Sequence, residues 1–162
     1  MTSFWSSLPR PILAVAPMEG VTDLAFRLTC KQGGADLVYT EFVSSDALKY
    51  DARKALAKLR RHDEERPVIA QIFGHDSVAF AEAAKRIEQL GFDGLDINFG
   101  CPARKVVGSG SGVALLRDPG FARQLVEAAL HATSLPISIK TRASIRKERV
   151  RVDPTDDRRV TA

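Results

Sequence analysis

Residues 67–98 read PVIAQIFGHDSVAFAEAAKRIEQLGFDGLDIN. The run PVIAQIF is apolar and opens at Pro67, as a strand does. Asp76 or Ser77 suits a helix N-cap, and Val78, Ala81, Ala84, Ile87 and Leu90 recur on one side at helical spacing. Gly91 supplies the C-terminal stop, and FDGLDIN returns to a strand. Strand, helix and strand at this spacing make a parallel βαβ unit. The apolar character of both strands implies a sheet covered by helices.

The same order extends in both directions. Upstream, PILAVAPM is a short strand stopped at Pro17. TDLAFRLTCKQGG reads as a helix capped at Thr22 or Asp23, with Leu24 and Leu28 on its apolar face and Gly33-Gly34 at its end. ADLVYTEF is a strand, and SSDALKYDARKALAKLRRHDEE is a polar-faced helical stretch broken near Tyr50. Downstream come a glycine-rich loop, a helix over DPGFARQLVEAALHAT and a fifth strand, LPISIKTR. Repeated βα units with right-handed crossovers lead either to a doubly wound sheet or to a (β/α) barrel. No GxGxxG follows the first strand, which weakens the dinucleotide-fold option.

The polar breaks cluster at strand ends: Pro17-Met18-Glu19, Glu41, Gln71, Asn98-Phe99-Gly100-Cys101 and Lys140-Thr141-Arg142. Both architectures place ligands on that face. A complete barrel has eight strands in about 250 residues. The 162 residues here carry about five strands, so the expected fold is the first part of a (β/α)8 TIM barrel over 1–142. Residues 143–162 are expected to form a basic polar tail leading into a further barrel unit.

Composition narrows the function classes. The net charge of +4 and pI near 9.3 are compatible with nucleic acid without identifying it. The excess gathers in Arg142, Arg146, Lys147, Arg149, Arg151, Arg158 and Arg159, read as a solvated tail or as a phosphate-contacting strip. No membrane span and no signal peptide are expected, and two widely spaced cysteines suit a reducing cytoplasm. No Cys/His cluster has metal-ligand spacing, so no metal is expected. His62, His75 and His131 read as surface residues.

Cys101 lies between Gly100 and Pro102, a turn that can present its thiol at the ligand face; position alone leaves a reactive and a packing role both open. Cys30, inside a helix, reads as packing. Gly108 to Gly112, GSGSG, lacks the Lys-Ser or Lys-Thr of a Walker loop and reads as a flexible loop closing over a ligand or reversing into a helix. Lys140 can offer a fixed positive charge, and Gln71 an amide for the edge of a flat heterocycle. A solvent-facing lysine and a backbone-satisfied glutamine remain the alternatives. Asn98 and Glu41 pose the same choice.

APMEGVTDLAFR, TEFVSSDAL, PVIAQIFG, GFDGLDINFGCPARKVVGSGSGVALL and ISIKTR resemble, in order, the motifs of the tRNA-dihydrouridine synthases, over residues 11 to 142. That resemblance implies a flavin enzyme on a TIM barrel. It implies that Pro17, Met18 and Glu19 lie against the FMN ring and that Gln71 and Lys140 contact the flavin. Cys101 would be the proton donor, Asn98 and Arg142 would approach the target uridine, and Glu41 would line the pocket. NAD(P)H would reduce FMN, hydride would pass to C6 of uracil in tRNA, and the cysteine would protonate C5. The target base must leave its stack to reach a buried flavin.

A complete enzyme of this kind is expected to be a monomer. The family's later strands, phosphate-binding loops and helical tRNA-gripping domain have no counterpart in these 162 residues. The chain alone is therefore expected to bind FMN poorly and to be inactive. The alternatives are another flavin barrel acting on a free pyrimidine, of the dihydroorotate-dehydrogenase kind, and a non-catalytic RNA- or partner-binding piece.

Overall fold

The computed structural model describes residues 4–143. Among them, five strands form one parallel sheet: β1 (Ala14–Val15), β2 (Leu37–Ser44), β3 (Val68–Phe73), β4 (Gly94–Asn98) and β5 (Ile137–Lys140). Six helices intervene: α1 (Leu24–Gln32), α2 (Ser45–Lys49), α3 (Arg53–Lys58), α4 (Ser77–Gln89), α5 (Arg104–Gly108) and α6 (Pro119–Ala132). The strands lie side by side in chain order, β1-β2-β3-β4-β5. A doubly wound sheet reverses its order at a switch point, and this one does not. The fold is therefore a partial (β/α) TIM barrel. The basic stretch Arg146 to Arg159, and with it all but the first residue of 143–162, lies outside the described residues.

One apolar core holds the sheet to its helices. Val38, Val43, Val68, Ala70, Ile72, Leu95 and Ile97 face outward from β2, β3 and β4 onto Phe80, Ala83, Ala84 and Ile87 of α4 and Leu125 and Ala129 of α6. Helix α4 sits between α2 and α6. Its buried face differs from the expected one, because Val78 is 58% exposed while Ala79, Phe80, Ala83, Ala84 and Ile87 are fully buried. Phe80 is the largest side chain available for burial, and the face it heads wins over the one headed by Val78. Asp76 caps α4 by accepting from the Ala79 N–H at 2.7 Å, and Gly91 ends it at φ +77°.

Three other elements depart from expectation. The strand expected across PILAVAPM is only two residues long. The first helix hides no hydrophobic side chain; its buried residue is Arg27, and Cys30 is only half-buried. The glycine-rich loop is structured: α5 and a 3-10 turn at Gly112–Arg117 occupy it. The break near Tyr50 is present, between α2 and α3, with Asp51 at φ +48°.

Arg27 is fully enclosed and grips Glu65, itself 0% exposed, through Nε to Oε2 at 2.7 Å and Nη2 to Oε1 at 3.2 Å. Its remaining donors reach the carbonyls of Thr22 and Arg60, both at 2.8 Å. Glu65 also accepts the His62 N–H at 2.9 Å. This cluster ties α1 to the turn that delivers β3. Arg27→Ala strands the Glu65 carboxylate in a dry site and should cost about 3–5 kcal/mol. Arg27→Met combined with Glu65→Leu should recover most of that loss. Urea denaturation of the single and double variants checks both expectations.

Candidate active site

Gln71, Asp96, Asn98, Ser138 and Lys140 alternate with the apolar residues of the outer face and so share the concave face of the sheet. Register brings Gln71 of β3 beside Asp96 of β4 and Asp96 beside Ser138 of β5; one step further along, Asn98 stands beside Lys140. Gln71 donates from Nε2 to Asp96 Oδ2 at 2.5 Å, and Ser138 donates from Oγ to Asp96 Oδ1 at 2.6 Å. Asn98 donates from Nδ2 to Gln71 Oε1 at 2.9 Å. Gln71 is 0%, Asp96 2% and Asn98 7% exposed, and none of the three is left unpaired, as burial demands.

Burial pushes the Asp96 carboxyl up from its ordinary value; the hydrogen bonds from Gln71 and Ser138 and the charge on Lys140 oppose the rise. Tyr39, on β2, is pushed up to about 12 by burial and by the negative charge on Asp96. Its hydroxyl therefore stays protonated at any physiological pH.

Asn98 ends β4 and turns its Oδ1 back over the following loop. That oxygen accepts the N–H groups of Gly100 at 3.1 Å and Cys101 at 2.8 Å. The Cys101 carbonyl accepts from Val113 N–H at 3.1 Å. Cys101, half-buried, is thus held on both sides of its backbone. Close packing demands glycine at 112: φ is +61°, and a Cβ there would stand 2.6 Å from the Cys101 carbonyl and 2.8 Å from Val106 Cγ1. Gly100 lies against Lys140 and Arg142, so the loop bearing the thiol borders the end of β5.

Lys140 is exposed, as is Arg142, and forms no ion pair with the described residues. After β1, Met18 is 40% exposed and Pro17 half-buried. Thr22 pins this turn by accepting the Met18 N–H at 3.0 Å. Glu41 lies inside β2, 8% exposed, and accepts the Gly20 N–H at 2.8 Å with Lys58 3.5 Å away. Glu19 is paired with Lys58. Glu41 therefore anchors the Pro17–Gly20 turn. Gln71 likewise sits within its strand, two residues short of the end.

Reading the sequence passed over Asp96, Ser138 and Tyr39. An acidic residue at the centre of the apolar run FDGLDIN was the available signal for Asp96. His62, His75 and His131 are all exposed, and no cluster able to hold a metal ion occurs among the described residues. No described helix is long and apolar enough to cross a membrane.

A family model described as dihydrouridine synthase (Dus) matches residues 14–153. This chain belongs to the dihydrouridine synthase family. It is 40% identical over 143 residues to the probable tRNA-dihydrouridine synthase 2 of Bacillus subtilis, covering 86% of the chain and 44% of that protein. Over 130 residues it is 42% identical to tRNA-dihydrouridine synthase B of Pseudomonas aeruginosa, covering 80% and 39%. A probable tRNA-dihydrouridine synthase of Rickettsia bellii is 43% identical over 131 residues, covering 80% and 40%. The chain spans less than half the length of these relatives.

Two expectations follow from the geometry. Gly112→Ala should lower stability by about 1–3 kcal/mol, since both its positive φ and its contact with the Cys101 carbonyl must give way; urea denaturation measures the loss. For Asp96, a folded-state value above the ordinary 3.8 means that the ionised carboxylate opposes folding at neutral pH. The native state then takes up its proton first as pH falls. Compared with Asp96→Asn, the parent chain should gain stability as pH drops through the folded value and level off below 3.8. Paired denaturation series from pH 7 downward test the sign.

Proposed function

We propose that this chain carries the thiol-bearing side of the active site of an FMN-dependent tRNA-dihydrouridine synthase, which reduces the C5=C6 bond of uridines in tRNA with NAD(P)H as the source of electrons. The observation that carries this reading is the placement of Cys101, fixed at the mouth of the half-barrel by Asn98 and Val113, beside the strand end that bears Lys140. A reduction of this kind needs a proton on one carbon and a hydride on the other, from opposite faces of the base.

The described residues fit the ring of a flavin. Lys140 offers an ammonium on the rim that forms no ion pair with the described residues, Met18 offers an exposed thioether, and Gln71 stands fully buried behind Asn98. Lys140 would hold the polar edge of the ring, Gln71 would support that side of the site from within the sheet, and Pro17 and Met18 would lie against the ring. Bound FMN supplies the hydride for C6.

The chain's own residues then divide the remaining work. The Cys101 thiol gives its proton to C5. Asn98 holds the backbone beneath that thiol, and Arg142 stands on the same rim, where a cation suits a pyrimidine carbonyl or a phosphate. The tRNA-dihydrouridine synthases among its relatives and the mildly basic composition support RNA as the substrate class, and a cytoplasmic location suits that substrate.

In a full-length synthase carrying this segment, Cys101→Ala should cut dihydrouridine formation by roughly 100-fold or more while FMN remains bound, as loss of a general acid does. Nucleoside mass spectrometry of digested tRNA reads the first quantity, and flavin absorbance the second. Unchanged dihydrouridine in that variant would remove the thiol from the reaction.

A further inference from the structure

We propose that Asp96 is a positioning residue whose carboxylate dictates, through the Gln71 and Asn98 amides in series, how the Cys101 loop is held. An ionised carboxylate only accepts hydrogen bonds. Facing Asp96 Oδ2, Gln71 must therefore present Nε2, and it does so at 2.5 Å. Its Oε1 is then left for β4, where Asn98 Nδ2 donates to it at 2.9 Å. That choice turns Asn98 Oδ1 towards the loop, where the N–H groups of Gly100 and Cys101 both donate to it.

Reversing Asn98 would set its Nδ2 against the Cys101 N–H, and reversing Gln71 would set its Nε2 against Asn98 Nδ2, donor against donor in either case. The links from Asp96 through Gln71 to Asn98 are buried, so water cannot repair a mismatch there, and the last, to the loop, is part-buried. Ser138 Oγ occupies Oδ1 of Asp96 at 2.6 Å and keeps the carboxylate from turning. An amide at 96 would lack this authority, since it can offer either an oxygen or an N–H to Gln71. The orientation of Asn98, three positions before Cys101, is thus chosen by the chemistry of one acid on β4, and the thiol inherits its seat from it.

What the relay serves rests on the reading of Cys101 as the proton donor, but the test reads the thiol itself. In the Cys30→Ser background, Cys101 is the single free thiol. Its rate of alkylation by iodoacetamide is measured in the flavin-free chain, with circular dichroism confirming folded protein. Asp96→Asn should react roughly three- to tenfold faster than the parent, the scale of one lost hydrogen bond. The exchanged pair Asp96→Asn with Gln71→Glu should return to the parental rate, because a carboxylate at 71 accepts from both neighbouring amides and restores the direction of Asn98. A general loosening of the barrel would not be reversed by that second change.

A parental rate in Asp96→Asn, or a double variant as fast as Asp96→Asn alone, overturns the proposal. Should Asp96→Asn fail to fold, Gln71→Met interrupts the relay one step later and should show the same acceleration, and a parental rate there overturns it equally. Dihydrouridine assays of the full-length Cys101→Ala variant fail or succeed independently of these rates, so the two readings are separable.

Discussion

A carboxylate buried in the middle of a parallel sheet obliges its neighbours to be donors, and the concave face is arranged around that obligation. Asp96 is 2% exposed, and both of its oxygens are taken. An unpaired charge in that position would cost several kcal/mol. Gln71 and Ser138 meet it from the flanking strands because parallel register puts them directly alongside. The polar face is therefore a consequence of strand order as much as of residue type. With strands in any other sequence, Asp96 would face different partners.

The two faces of the sheet divide stability from chemistry. Outward, Val68, Ala70, Ile72, Leu95 and Ile97 supply the apolar area that α4 and α6 cover. Inward, the same strands carry amides, a hydroxyl and an acid whose hydrogen bonds are largely complete before any ligand arrives. Such preorganisation is what an enzyme needs where charge or protons move. Arg27 and Glu65 make a separate polar anchor on the outer layer, where they hold the first helix to the turn before β3.

Much of this was legible in the chain. The strand–helix alternation and the caps at Asp76 and Gly91 are local signals, and they were read correctly. Other features depend on packing between distant segments. Periodicity pointed to the α4 face headed by Val78, and the packing of Phe80 turned the adjacent face inward instead. Arg27 is a charge in an amphipathic helix until Glu65 is brought 38 residues back to meet it. The hydrogen bond from Gly20 to Glu41 joins an irregular strand to a turn that sequence does not register against each other. Within the glycine-rich loop, the need for glycine at 112 arises from the Cys101 carbonyl, which only the folded turn puts there.

The N-terminal 3-10 turn, Phe4–Ser7, reaches the end of the sheet opposite Cys101: a Cβ on Gly94 would stand 3.4 Å from Phe4 Cε1 and 3.4 Å from Ile69 Cγ1. Gly94 is the first residue of β4, so Phe4 has no finished surface to rest on until some ninety residues have followed it out of the ribosome. A segment made before every described strand is thus among the last able to dock. Until then its Phe4–Trp5 pair is an exposed aromatic handle, the kind of surface that folding factors grip, and its disappearance would report that the β3–β4 pair has formed.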